Sequence, residues 1–100
     1  MNCIRCGADL GGFENEAASI SVRPQGTEET RCYFLCAACD VYTLWISIAP
    51  AWEGEDTIVT RGPISREEGD RIVARIGQCP APGLTSCHCP VHREMEAMDW

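Results

Sequence analysis

The chain has 100 residues, of which eight are cysteines, eight are basic and fifteen are acidic, and its formal net charge at pH 7 is −7. A chain of this length forms one domain, over residues 1–100, whose apolar core alone leaves it only marginally stable. The acidic charge argues against a protein that binds nucleic acid through a basic surface, and no apolar stretch reaches the length of a membrane span.

The chain begins with MNCIRCGADLGG, which has neither the basic nor the apolar region of a secretory leader. We therefore expect a cytoplasmic protein. Because the cytoplasm keeps thiols reduced, the eight cysteines favour metal binding over a framework of disulfides.

Three strands and a fourth, shorter one are predicted before the helical part of the chain. Alternating and β-branched residues place them at 17–23, 30–35, 41–48 and 57–60. Pro24 and Gly26 form the turn between the first two strands, which makes them a hairpin. An acidic loop, 53–56, precedes the fourth strand and is expected to be solvated.

Residues 64–77 carry the clearest helix signal. Ser65 is the predicted N-cap, with Glu68 completing a capping box, and Gly77 is placed to end the helix. The predicted buried stripe consists of Ile72, Val73 and Ile76. A second, terminal helix is expected to begin near Pro90, with Met95 and Met98 on its apolar face.

Two Cys-x-x-Cys pairs, Cys3/Cys6 and Cys36/Cys39, are the strongest chemical signal in the sequence. Each pair can chelate one ion from a tight turn, and two such turns complete the tetrahedral four-sulfur shell that zinc prefers. Gly7 and Asp40 follow the two pairs, and both residue types tolerate the positive φ that such a turn needs. The four cysteines are therefore predicted to bind one metal ion.

The first forty residues resemble zinc ribbons, and Cys3, Cys6, Gly7, Cys36 and Cys39 also resemble the iron site of rubredoxin. The ribbon resemblance implies an antiparallel sheet between two metal-binding knuckles. Rubredoxin implies iron at the same four sulfurs, but this chain has Ala37-Ala38 where rubredoxins carry a proline. We favour zinc, and iron stays open because ligand type alone does not separate the two.

A second donor group lies near the end of the chain: Cys79, Cys87, Cys89 and His92. Cys89 and His92 are one helical turn apart at a helix start, which resembles the second ligand pair of treble-clef fingers. This group predicts a second zinc site of three cysteines and one histidine. Ordinary buried thiols and a redox or iron–sulfur role are the alternatives.

The redox alternative has its own resemblance. Cys87-His88-Cys89, with Cys79-Pro80 upstream, resembles the ferredoxin:thioredoxin reductase catalytic subunit, which implies a [4Fe–4S] cluster beside a redox disulfide. Ala81 stands where that family has a second cysteine, so its mechanism is not carried over. Cys32 and His88 remain outside both groups; Cys32 is predicted to be buried on its strand and His88 to face solvent or orient a sulfur.

The overall prediction is a small α+β domain with a zinc ribbon-like sheet and first metal site in 1–60, and a packed helix with a metal-stapled finger in 61–100. No catalytic constellation emerges, because four protein donors can close both sites. We expect two zinc ions and a non-enzymatic module, an adaptor or accessory subunit, that binds a protein partner and neither nucleic acid nor membrane. Trp52 and Trp100 are the candidate anchors for that partner. The alternatives are an iron-dependent electron or thiol-redox carrier and a zinc-ribbon transcription regulator.

Overall fold

The computed structural model describes residues 1–50 and 54–98 and has the predicted α+β class. The strands are β1 (Ala18–Val22), β2 (Glu28–Cys36), β3 (Val41–Ala49) and β4 (Thr57–Ser65), and the helices are α1 (Arg66–Ile76) and α2 (Pro90–Ala97). Two short 3-10 helices, Phe13–Asn15 and Pro24–Gly26, complete the described elements. Neither α1 nor α2 has the length and apolar composition of a membrane-spanning helix.

The four strands form one antiparallel sheet in the order β1-β2-β3-β4. The predicted β1–β2 hairpin is confirmed, and its turn is the 3-10 helix that begins at Pro24. The second cysteine pair lies at the tight turn between β2 and β3, with Cys36 opposite Val41. The sheet therefore positions Cys36 and Cys39 directly at its end.

Strand β4 is longer than the sequence predicts. The predicted strand ends at Thr60, yet pairing continues to Ser65 after an irregularity between Tyr42 and Leu44. Pro63 is tolerated because β4 is an edge strand, whose outer side needs no amide donor. Residues 64 and 65 therefore belong to the strand, and the helix predicted from residue 64 begins at Arg66.

The predicted capping residues of α1 are confirmed. The Ser65 hydroxyl accepts a hydrogen bond from the backbone N–H of Glu68 over 3.2 Å, and Gly77 is the C-cap. Of the predicted stripe, Ile76 is buried, while Ile72 and Val73 pack partly buried against the core. At Gly69, a Cβ atom would overlap the ring of Tyr42, so the absence of a side chain lets the helix approach the sheet.

Both helices cover one face of the sheet and enclose the main core. Its buried side chains come from the sheet and from both helices, and include Ile20, Val22, Tyr33, Tyr42, Leu44, Ile46, Ile76, Val91 and Met95. A charged residue, Arg31, is buried among them at 2% exposure. Its guanidinium donates to the carbonyl oxygens of Met95 (2.5 Å) and Met98 (3.3 Å) and lies 3.7 Å from the Glu29 carboxylate. Arg31 therefore satisfies the carbonyl end of α2, where a cation is favoured.

The N-terminal segment covers part of the opposite face. Thr43 accepts a hydrogen bond from the backbone N–H of Ile4 over 2.9 Å, and the ring of Phe13 lies 4.9 Å from that of Trp45. Cys32 is buried on this face, as predicted, beneath this segment. Burial, and then a hydrogen bond with Glu16, raises the pKa of its thiol to about 12.

Candidate metal centres

The first candidate centre is the cluster of Cys3, Cys6, Cys36 and Cys39, which we call the first cluster. Its four sulfur atoms lie within 4.8 Å of one another, and the sulfurs of Cys6 and Cys36 are 3.7 Å apart. A regular tetrahedron of sulfurs about 2.3 Å from a zinc ion has edges of about 3.8 Å, so this spacing fits one shared ion. The cluster can therefore hold a metal.

The two turns of the first cluster have the same backbone geometry. The N–H of Gly7 donates to the Cys3 carbonyl oxygen over 2.9 Å, and the N–H of Asp40 donates to that of Cys36 over 2.8 Å. Gly7 has φ +76 and Asp40 has φ +58, which confirms the positive φ predicted for both. Nothing lies within 4 Å of a Cβ built on Gly7, so the glycine is needed for its backbone conformation and not for space.

The thiols of the first cluster differ in proton affinity. The backbone N–H of Cys6 donates a hydrogen bond to the Cys3 sulfur and lowers its pKa to about 6, while burial acts in the opposite direction. The hydrogen bond with the Cys6 thiol, followed by burial, raises the pKa of Cys39 to about 12. Four thiolates this close repel one another, so some stay protonated unless a cation replaces the protons. Metal binding here must release protons.

The second candidate centre is the cluster of Cys79, Cys87, Cys89 and His92, which we call the second cluster. Its ligand atoms also lie within 4.8 Å of one another. The Cys79 sulfur is 3.8 Å from that of Cys87, 3.5 Å from that of Cys89 and 3.0 Å from His92 Nδ1. The sulfur spacings again match a tetrahedral edge, so these four donors can hold one ion.

Helix α2 positions two of these donors. Cys89 is its N-cap, and the Cys89 sulfur accepts a hydrogen bond from the backbone N–H of His92 over 3.4 Å. That hydrogen bond, with burial acting against it, lowers the pKa of Cys89 to about 6, whereas burial raises that of Cys79 to about 11. Pro90, at the first helical position, has no N–H to leave unpaired. The start of α2 therefore places the Cys89 and His92 side chains on the same side of the helix.

The second cluster is joined to strand β1. His92 is 1% exposed, and its Nε2 lies 3.0 Å from the backbone oxygen of Ser21. A carbonyl oxygen only accepts, so Nε2 carries the proton and Nδ1 has its lone pair free for a metal. The N–H of Ser21 in turn donates to the Pro82 oxygen over 2.8 Å, which docks the cysteine loop onto the same strand. The sequence gives no signal for Ser21, because the contact is made by its backbone.

The remaining candidates lie outside both clusters. Cys32 belongs to neither, and His88 is exposed, as predicted. Glu55 and Asp56, from the acidic loop, are exposed as well. Trp52 and Trp100 lie outside the described residues. Within residues 1–50 and 54–98, the two clusters are the only groups of three or more potential metal ligands.

No family model matches the chain, and no similarity to a curated protein or to a solved structure is found. The resemblance to zinc ribbons and rubredoxin therefore depends on the two cysteine turns alone. What the structure adds is that all eight predicted donors come together as two four-donor groups.

Proposed function

We propose that this protein is a non-enzymatic, cytoplasmic zinc-binding module that acts as an adaptor or accessory subunit by contacting a protein partner. The observation that carries the proposal is the pair of four-donor clusters, one drawn from residues 3–39 and the other from residues 79–92. Each cluster has enough protein donors to close a tetrahedral shell, which is the composition of structural zinc sites. In this role the first ion would join the N-terminal segment to the β2–β3 turn, and the second would join the cysteine loop to the start of α2.

The charge of the molecule supports a protein partner over nucleic acid. The formal charge is −7, and two metal sites of seven thiolates in all would bring the loaded chain to about −10. Ion pairs with acids are formed by at least four of the eight arginines: Arg23 with Glu28, Arg31 with Glu29, Arg66 with Asp40 and Asp70, and Arg75 with Glu94. A phosphate backbone needs clustered basic side chains, and this charge distribution opposes its approach.

The sheet face opposite the helices supports the contact with protein. Strand alternation places Ile58 on this face with Trp45, since Val59 packs into the helix-side core. Phe13 and Ile58 are 55% and 52% exposed, and Phe13 touches Trp45. Exposed aromatic and aliphatic side chains on one face are typical of protein-binding surfaces. We call Phe13, Trp45 and Ile58 the apolar face.

The partner hypothesis is tested by affinity capture from the native cell extract with zinc-loaded protein. We expect one partner, identified by mass spectrometry and bound stoichiometrically on reconstitution, to be lost from Ile58→Asp with both zinc ions retained. Thr57→Asp, a matched charge on the same strand, should keep the partner. Trp52→Ala and removal of Trp100 test the two tryptophans in the same assay. Tight binding of DNA or RNA at physiological salt, or an unchanged partner in Ile58→Asp, would contradict the proposal.

A further inference from the structure

A cavity of about 280 Å³ lies between β4 and α1, on the helix-covered side of the sheet. Its apolar walls come from Leu44, Ile64, Ile72 and Met98. Neither metal cluster contributes a residue to it. The cavity is therefore separate from the metal centres and is not used by the proposed function.

Tyr33 also lines this cavity and carries a polar group without a partner. The side chain is 1% exposed, and its hydroxyl makes no hydrogen bond within the part of the chain that the structure describes. Burial raises the pKa of Tyr33, so the group is a neutral phenol that can both donate and accept. Buried hydroxyls are nearly always paired, so an unpaired hydroxyl on a residue that lines a cavity indicates that a group outside the described residues supplies its partner.

A second cavity, of about 470 Å³, runs between α1 and α2 and adjoins the first. Glu68, Ile72 and Met98 line both cavities. The Met98 side chain is unbranched and can change rotamer, which gives a route from the wider cavity toward the Tyr33 hydroxyl. Together the two cavities lie within the size range of small-molecule sites.

We propose that the cavity lined by Tyr33 binds a small, neutral, apolar molecule that carries one group able to hydrogen-bond with the Tyr33 hydroxyl. The apolar walls select an apolar body, and the single orphan hydroxyl selects one polar group. Arg61 and Glu68 carry opposite charges at the cavity, so the lining favours neither an anion nor a cation. A planar molecule of two fused rings with one N–H, such as indole, has this chemistry.

Titration of the full-length, metal-loaded chain with indole tests the proposal, followed by calorimetry and by amide chemical shifts. We expect one equivalent to bind, with shift changes at Leu44, Ile64 and Ile72. Tyr33→Phe removes only the hydroxyl and should weaken indole binding about five- to tenfold, the usual effect of one hydrogen bond. Indene, which has the same shape without the N–H, should bind the wild-type and Tyr33→Phe chains equally.

Two further variants control for folding and access. Tyr33→Phe should melt no lower than the wild-type chain, because it removes an unpaired buried hydroxyl. Ile72→Trp fills the cavity and should abolish binding of both probes while the metal content stays unchanged. Equal indole affinity in wild-type and Tyr33→Phe chains would overturn the proposal, as would no binding at millimolar indole. Binding seen only after removal of residues 99–100 would also overturn it, since the full chain would then not admit the molecule.

Discussion

His92 donates its Nε2 proton to the backbone oxygen of Ser21 over 3.0 Å, and this bond fixes which ring nitrogen faces the cysteines. The two residues are 71 positions apart, so the second cluster is assembled on a strand from the far end of the chain. A metal bound at Nδ1 would join α2 to the cysteine loop, and both are held on β1 by their hydrogen bonds with the Ser21 backbone. The second centre is therefore expected to stabilise the tertiary fold and not only its own loop.

Substitutions of His92 and of His88 should distinguish the predicted metal ligand from the histidine that is predicted not to bind metal. We expect His92→Ala to lose one of two metal ions and to raise amide hydrogen exchange in β1 and α2, because both the ligand and the Ser21 bond are removed. His88→Ala is the matched control; its side chain is exposed and should leave both ions in place. Metal analysis and hydrogen exchange of the two variants check this, and equal metal loss would contradict the ligand assignment.

Cys36 and Cys32 form a second matched pair on one strand. Cys36→Ser should remove the first metal ion and unfold the β2–β3 end of the sheet, whereas Cys32→Ser should keep both ions. Because Cys32 lies in packed surroundings, its replacement should lower the free energy of unfolding by about 1 to 2 kcal/mol. Chemical denaturation and metal analysis measure the two effects. Similar metal loss in both variants would show that Cys32 is a ligand.

For Gly69→Ala, helix propensity and packing predict opposite changes in stability. Propensity alone predicts that Gly69→Ala stabilises α1 by about 1 kcal/mol. The structure predicts a loss of about 1 to 3 kcal/mol instead, because the new Cβ overlaps the Tyr42 ring. That ring cannot easily move, since Tyr42 is buried and its hydroxyl donates to Asp70 over 2.5 Å.

The matched control for Gly69→Ala is Gly83→Ala. Nothing lies within 4 Å of a Cβ built on Gly83, so its free energy of unfolding should change by less than about 0.5 kcal/mol. Thermal or urea unfolding of the metal-loaded variants is the measurement. A stabilised Gly69→Ala protein would show that α1 does not approach Tyr42 as described.

The two centres should also release metal at different rates. Cys6 of the first cluster is exposed, whereas Cys79 and His92 of the second are buried. We expect an excess of a colour-forming chelator to remove the ions in two phases, the faster from the first cluster. Cys36→Ser should show only the slower phase and His92→Ala only the faster one. The reverse assignment would contradict the role of exposure.

Local patterns predicted the parts of this fold that depend on neighbours in sequence. The cap at Ser65, the end of α1 at Gly77 and the positive φ of Gly7 and Asp40 each follow from the chemistry of a few adjacent residues. The spacing of the cysteines and His92 likewise predicted which side chains lie together, because the members of each pair are close in sequence.

Long-range contacts account for what the sequence did not predict. Arg31 lies on a predicted strand, and no neighbouring residue indicates that it reaches the carbonyl end of α2, 64 residues away. Glycine lowers helix propensity, and the role of Gly69 is evident only from the Tyr42 ring that lies against it. The continuation of β4 past Pro63 depends on its place at the sheet edge, which no local pattern specifies.

The central claim, two four-donor metal centres in one chain, is tested most directly by counting and identifying the metals. Native mass spectrometry and elemental analysis of anaerobically purified, full-length protein should find two zinc ions per chain. Excess chelator should remove both ions, and the native circular dichroism should be lost as they leave, since the fold depends on them. One metal per chain, iron with visible charge-transfer bands, or a circular dichroism spectrum unchanged in chelator would contradict the account.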